Sequence, residues 1–142
     1  PYTRHLEERH IFTSPWNERA FSVKAYIKAM SELYLTAEES GATPLYFQGF
    51  TVASSNSKMK TNAYVEVGRM AHTAPKQPFT QTALPRCESL GFRIEGHSIT
   101  ECMNEAFNHI EKSPGRYSIT EVWDSELPEN VYVVEVLREV DS

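Results

Sequence analysis

Between residues 16 and 34 the apolar positions Trp16, Ala20, Val23, Ile27, Met30 and Tyr34 recur at steps of four and three, which places all six on one face of a helix. Ser14 followed by Pro15 reads as its start, because a side-chain oxygen meets free N–H groups and a residue without an N–H costs nothing there. Gly41 and Pro44 stop it. From Leu45 the period falls to two: Leu45, Phe47, Gly49, Thr51 and Ala53 share one face of a strand, and Tyr46, Gln48, Phe50 and Val52 the other. A Ser54-Ser55-Asn56-Ser57 turn joins it to a second strand, where Ala63, Val65 and Val67 alternate with Tyr64, Glu66 and Gly68.

Residues 71–90 carry Pro75, Pro78 and Pro85 without periodicity and read either as a long loop of the kind that serves as a lid or binding segment, or as a surface excursion with a short strand or turn of its own. A short strand from Phe92 to Glu95 follows, and then Ser98-Ile99-Thr100-Glu101, a capping box that opens a second helix. Its apolar stripe is Ile99, Met103, Ala106 and Ile110, widened by Cys102 and Phe107, and Pro114-Gly115 ends it. Two alternating strands close the chain, one with Tyr117, Ile119, Glu121 and Trp123 on a face, the other with Tyr132, Val134, Val136 and Arg138; Leu127-Pro128-Glu129-Asn130 turns between them. No internal repeat is visible in the sequence.

With one N-terminal strand added, this order predicts a single α+β domain over residues 1–142, a ferredoxin-like two-layer sandwich with a mostly antiparallel sheet and two helices on one face. The other sheet face also carries apolar residues, so a homo-oligomer is expected to cover it. The 142 residues suit one core and need no disulfide framework or structural metal. A net charge of -5 with scattered Lys and Arg makes nucleic acid an unlikely partner. No apolar run is long enough to span a membrane and PYTRHLEERH lacks the apolar core of a signal peptide, so a cytoplasmic protein with no membrane partner is expected. Cys87 and Cys102 are isolated and read as reduced thiols, and none of the five histidines has metal-ligand spacing. No metal and no cofactor is expected.

The candidate chemistry centres on Tyr64 and Glu66, which share a face opposite the apolar trio. If that trio faces the helices, a phenol and a carboxylate point at the face an oligomer would cover, where they could read a nucleoside-type ligand. Tyr46 and Gln48 on the adjacent strand and His72 in the long loop are the expected binding residues, and Glu95, Glu101 and Glu121 are further acidic candidates.

The element order, the Tyr64-Val65-Glu66 triplet and the strand-helix-strand second half (FRIEGHSITECMNEAFNHI, then YSITEVW) resemble the phage enzymes that degrade S-adenosylmethionine. The resemblance implies a homotrimeric, cofactor-independent lyase giving methylthioadenosine and homoserine lactone at subunit interfaces, with Glu66 and Tyr64 as catalytic residues. The competing reading is a non-catalytic interaction module or inhibitor that pairs through an exposed sheet face or its Val- and Tyr-rich C-terminal strand.

Overall fold

The computed structural model describes residues 1–56 and 58–140. The chain runs β1 (Tyr2–Leu6), β2 (Arg9–Pro15), α1 (Val23–Glu39), β3 (Thr43–Ser55), β4 (Lys58–Arg69), β5 (Thr80–Leu84), β6 (Cys87–Gly96), α2 (Ile99–Glu111), β7 (Gly115–Val122) and β8 (Tyr132–Glu139). All eight strands form one antiparallel sheet in the order β1-β6-β8-β7-β3-β4-β2-β5. The sheet curls into a half-barrel, which replaces the expected ferredoxin-like sandwich.

Two short connections require the curl. Leu6 ends a strand at one margin and Arg9 begins a strand next to the other margin, yet only Glu7 and Glu8 separate them. Three Cα steps reach about 11 Å at most, so the two margins must approach each other. Leu84 and Cys87, joined through Pro85 and Arg86, impose the same condition in the opposite direction. These two straps bridge the open side of the sheet.

The topology also contains a repeat that the residue identities hide. Each half is strand-strand-helix-strand-strand, with the sheet orders β3-β4-β2 and β7-β8-β6 meeting at the antiparallel β3/β7 pair. Each half donates its leading strand to the other: β1 pairs with β6, and β5 with β2.

Both helices pack on the convex face, where Phe12, Phe50, Val65, Ile119, Val134 and Val136 form one core with Met30, Leu33, Met103 and Ile110. Phe50 joins the halves: its ring lies 4.9 Å from Trp16, 5.4 Å from Tyr26 and 5.2 Å from Phe107, in tilted and edge-on contacts that aromatic rings favour. Helix α2 follows its expected stripe, burying Cys102, Met103, Ala106 and Ile110, and Ser98 accepts the Glu101 N–H at 3.1 Å. Helix α1 does not. It begins at Val23 behind the N-cap Ser22, buries Tyr26, Met30, Leu33 and Ala37, and leaves Ile27 60% exposed. Ser14-Pro15 ends β2 instead, where Pro15 sits at a strand terminus and its missing N–H breaks no interior ladder.

Three further expectations change. The 71–90 segment is no lid, because it contains β5 and the start of β6. The C-terminal strand β8 lies between β6 and β7, so it has no free edge, and the margins are β1 and β5. The second sheet face is closed by its own curl: Leu6, Ile11, Val133 and Leu137 are buried within one chain, which removes the reason for expecting an oligomer to cover it. Of the turn expected at residues 54–57, Ser54 and Ser55 still belong to β3, Asn56 turns at positive φ, and Ser57 lies outside the described residues.

Candidate functional site

Ala63, Val65 and Val67 face the helices, so Tyr64 and Glu66 point into the concave side as their alternation requires. The sheet register sets what lies beside them. Tyr64, Gly49, Thr120, Glu135 and Arg93 form one row across β4, β3, β7, β8 and β6. Gly49 has no side chain over which Tyr64 must climb, and the Tyr64 hydroxyl bonds to that of Thr120 across it. Burial raises the Tyr64 phenol to about 12, against the lowering effects of Thr120 and of the Arg9 guanidinium. Tyr64 is therefore a protonated floor residue, 1% exposed.

Beyond this row β3 bulges. Its pairing with β4 slips between Pro44 and Gln48, and Tyr46 takes φ 64°, a conformation that costs a side-chain-bearing residue energy and marks a functional or packing constraint. The bulge throws Tyr46 and Phe47 outward, 77% and 52% exposed, with Tyr46 stacked on Tyr34 at 5.6 Å. Glu66 stands on β4 opposite Ile11, where β3 supplies no paired neighbour.

Together these residues line a cavity of about 1280 Å³ at one end of the trough. Seven carboxylates and three arginines border it, with Tyr46, Phe47, Trp123 and Tyr132 as exposed aromatic walls. Part of this charge is already matched. Glu135 accepts from Tyr2 and Arg4, each at 2.5 Å, and Arg93 donates to Asp124 at 3.0 Å. Glu121 accepts from Tyr26 and from the Gln48 amide, both at 2.5 Å, while Gln48 accepts from Tyr34 at 2.8 Å. Burial, then Glu121, push the Tyr26 phenol far up and that of Tyr34 to about 12, so both remain donors. Among the described residues Glu66 alone of Glu66, Glu121 and Glu135 has no hydrogen-bond or ion-pair partner.

Four of the five expected site residues, Tyr46, Gln48, Tyr64 and Glu66, thus line one cavity within a single chain. His72 does not: it lies beside Gly41 after α1, bonded to Arg69 and, through its backbone, to Ser40. Of the other acidic candidates Glu121 joins the cavity, Glu101 caps α2, and Glu95 is exposed outside it. The contributions of Glu135, Trp123 and Arg93 escaped sequence reading, because nothing local says that β8 and β6 sit across from β4. Among the described residues no three or more His, Cys, Asp or Glu side chains come together as a metal site, and no helix is long and apolar enough to cross a membrane.

No family model and no curated protein matches this chain. Solved structures do. The C-terminal domain of EcmrR superposes with TM-score 0.69 at 10% identity, covering 99% of this chain and 96% of that one. EcmrR in a DNA complex matches with TM-score 0.69 and 10% identity over 96% of this chain, which spans about 55% of that longer chain. SAV2435 bound to tetraphenylphosphonium matches with TM-score 0.56 and 8% identity, covering 99% of this chain and 93% of that one. The shared feature is the fold. The expectations of a lyase, of S-adenosylmethionine, of a phage trimer and of a ferredoxin-like sandwich rested on an element order that this sheet does not have, and they are withdrawn.

Proposed function

We propose that this domain binds a small amphipathic organic cation in the larger cavity, as the ligand-binding part of a sensor or sequestering protein. The observation that carries the reading is Glu66, a half-buried carboxylate without a hydrogen-bond or ion-pair partner among the described residues, on the wall of a cavity that carboxylates border in excess over arginines and aromatic rings face. A delocalised cation suits such a site: its apolar groups bury against Tyr46, Phe47 and Trp123, its charge gains from the ring faces, and Glu66 supplies the counter-charge in a low-dielectric setting. A compact, strongly hydrated cation would lose more on desolvation than one carboxylate returns. SAV2435, of the same fold, holds tetraphenylphosphonium, which supports this ligand class. The expectation against nucleic acid as a partner is relaxed, since EcmrR occurs in a DNA complex.

The test is calorimetric titration with tetraphenylphosphonium, followed in parallel by Trp123 fluorescence. Glu66→Gln keeps the shape and removes the charge, and it should weaken binding by about tenfold or more. Triphenylphosphine oxide, with similar rings and no net charge, should bind the wild type at least about tenfold less tightly. Equal affinity of wild type and variant for the cation would refute the assignment.

A further inference from the structure

The trough has a second end with the opposite chemistry. Two rows along from Tyr64 and Gly49, the register places Lys60, Ala53 and Arg116 side by side on β4, β3 and β7. Side chains directly opposite in antiparallel strands share a face, so Lys60 and Arg116 rise on either side of the small Ala53, about 10 Å apart at their Cα atoms. Between the two ends, Asn62, Thr51 and Ser118 make a row of uncharged hydrogen-bonding groups. Arg9 enters from the strap that follows β1 and lines both ends.

Here a cavity of about 350 Å³ is bordered by three cations and a single carboxylate, Glu139. None of Arg9, Lys60 and Arg116 has an ion pair or a side-chain hydrogen bond among the described residues. The Arg9 Nε is also buried without a hydrogen-bond partner, an unusual state for a guanidinium group in a closed structure. Leu6, Leu84, Pro85 and Leu137 supply an apolar wall. We propose that this cavity is an anion site, taking a small organic carboxylate or phosphate whose head meets Arg9, Lys60 and Arg116 while its apolar body packs on that wall. The volume is at the small end of ligand pockets and suits a single ring with a charged head. Guanidinium and ammonium groups, with hydroxyl and amide donors behind them, form the donor set that such oxyanions require.

This inference stands apart from the cation reading: the two cavities share Leu6, Arg9 and Leu137, but Lys60 and Arg116 border only the smaller one. The experiment is an amide chemical-shift titration with phenyl phosphate, using phenyltrimethylammonium as a probe of the same ring and opposite charge. Phenyl phosphate should shift the amides of Thr51, Ala53, Asn62 and Ser118, and the double substitution Lys60→Gln with Arg116→Gln should weaken it by about tenfold or more. Both side chains are exposed, so this variant keeps the core intact; Arg9→Gln, checked for folding by its amide spectrum, should weaken binding as well. Shifts of the same amides by phenyltrimethylammonium at equal concentration, no saturable binding of phenyl phosphate, or unchanged affinity in the double variant would each overturn the proposal.

Discussion

Gly49 is the residue on which the trough most depends. A Cβ at that position would sit 1.8 Å from the Ile119 carbonyl oxygen on the paired strand and would also obstruct the path of Tyr64 to Thr120. The obstacle is backbone, which cannot swing aside, so Gly49→Ala should separate β3 from β7 where the two halves meet. A loss of about 3 kcal/mol is expected, at the upper end for overpacking, and urea unfolding measures it. Tyr64 and Glu66 were readable as a pair facing away from the core, because alternation in a strand states orientation outright. Their environment was not readable: the phenol expected to read a ligand is the buried floor, and the carboxylate is the group left open.

Among the elements, the helices and strands differ in how much of themselves they disclose. Helix α2 has a cap, a stripe and a stop that agree, and its expected face is the buried one. Helix α1 is preceded by Trp16, whose ring packs on Phe50 from outside the helix, so counting it into the periodic series displaced both the start and the face. The margin strands are weaker signals still. β1 and β5 are five residues each, mostly exposed, and each is held by one neighbour. Short edge strands cost little to open. Hydrogen exchange should therefore release the amides of β1 and β5 first and those of β3 and β7 last, and slow exchange throughout β5 would show that the straps lock the margin more firmly than its pairing implies.

At the scale of the whole molecule, four phenols are hydrogen-bonded around the larger cavity and beneath it: Tyr2 and Tyr26 donate to carboxylates, Tyr34 donates to the Gln48 amide oxygen, and Tyr64 shares a bond with the Thr120 hydroxyl. Burial and the neighbouring carboxylates raise Tyr2 to about 12, and Tyr34 and Tyr64 lie equally high, with Tyr26 above them. A phenol whose pKa is raised on folding holds its proton more tightly in the native state than in the unfolded chain, where it titrates near 10. The stability it adds is complete below pH 10 and is lost as pH rises through about 12. Unfolding midpoints in urea should fall over that interval, and tyrosinate absorbance should show these four phenols ionising together with unfolding rather than before it.

The amino-acid sequence by itself determined much of the local geometry: the strands β3, β4, β6, β7 and β8, where α2 begins, and that Tyr64 and Glu66 turn away from the apolar trio, since these follow from periodicity and capping within a few residues. It also determined an acidic chain whose histidines and cysteines lack metal-ligand spacing. Only the tertiary structure decided that β1 and β5 exchange between two equivalent halves, that two two-residue straps pull the margins together, and that Leu6, Ile11, Val133 and Leu137 on the second face are buried within one chain. Strand pairing over such separations is set by the summed packing of the core and not by any local pattern. The division of the trough into an acidic aromatic end and a basic end arises the same way, because Glu66 and Glu135, like Lys60 and Arg116, come to share the concave face only once the register of the sheet is chosen.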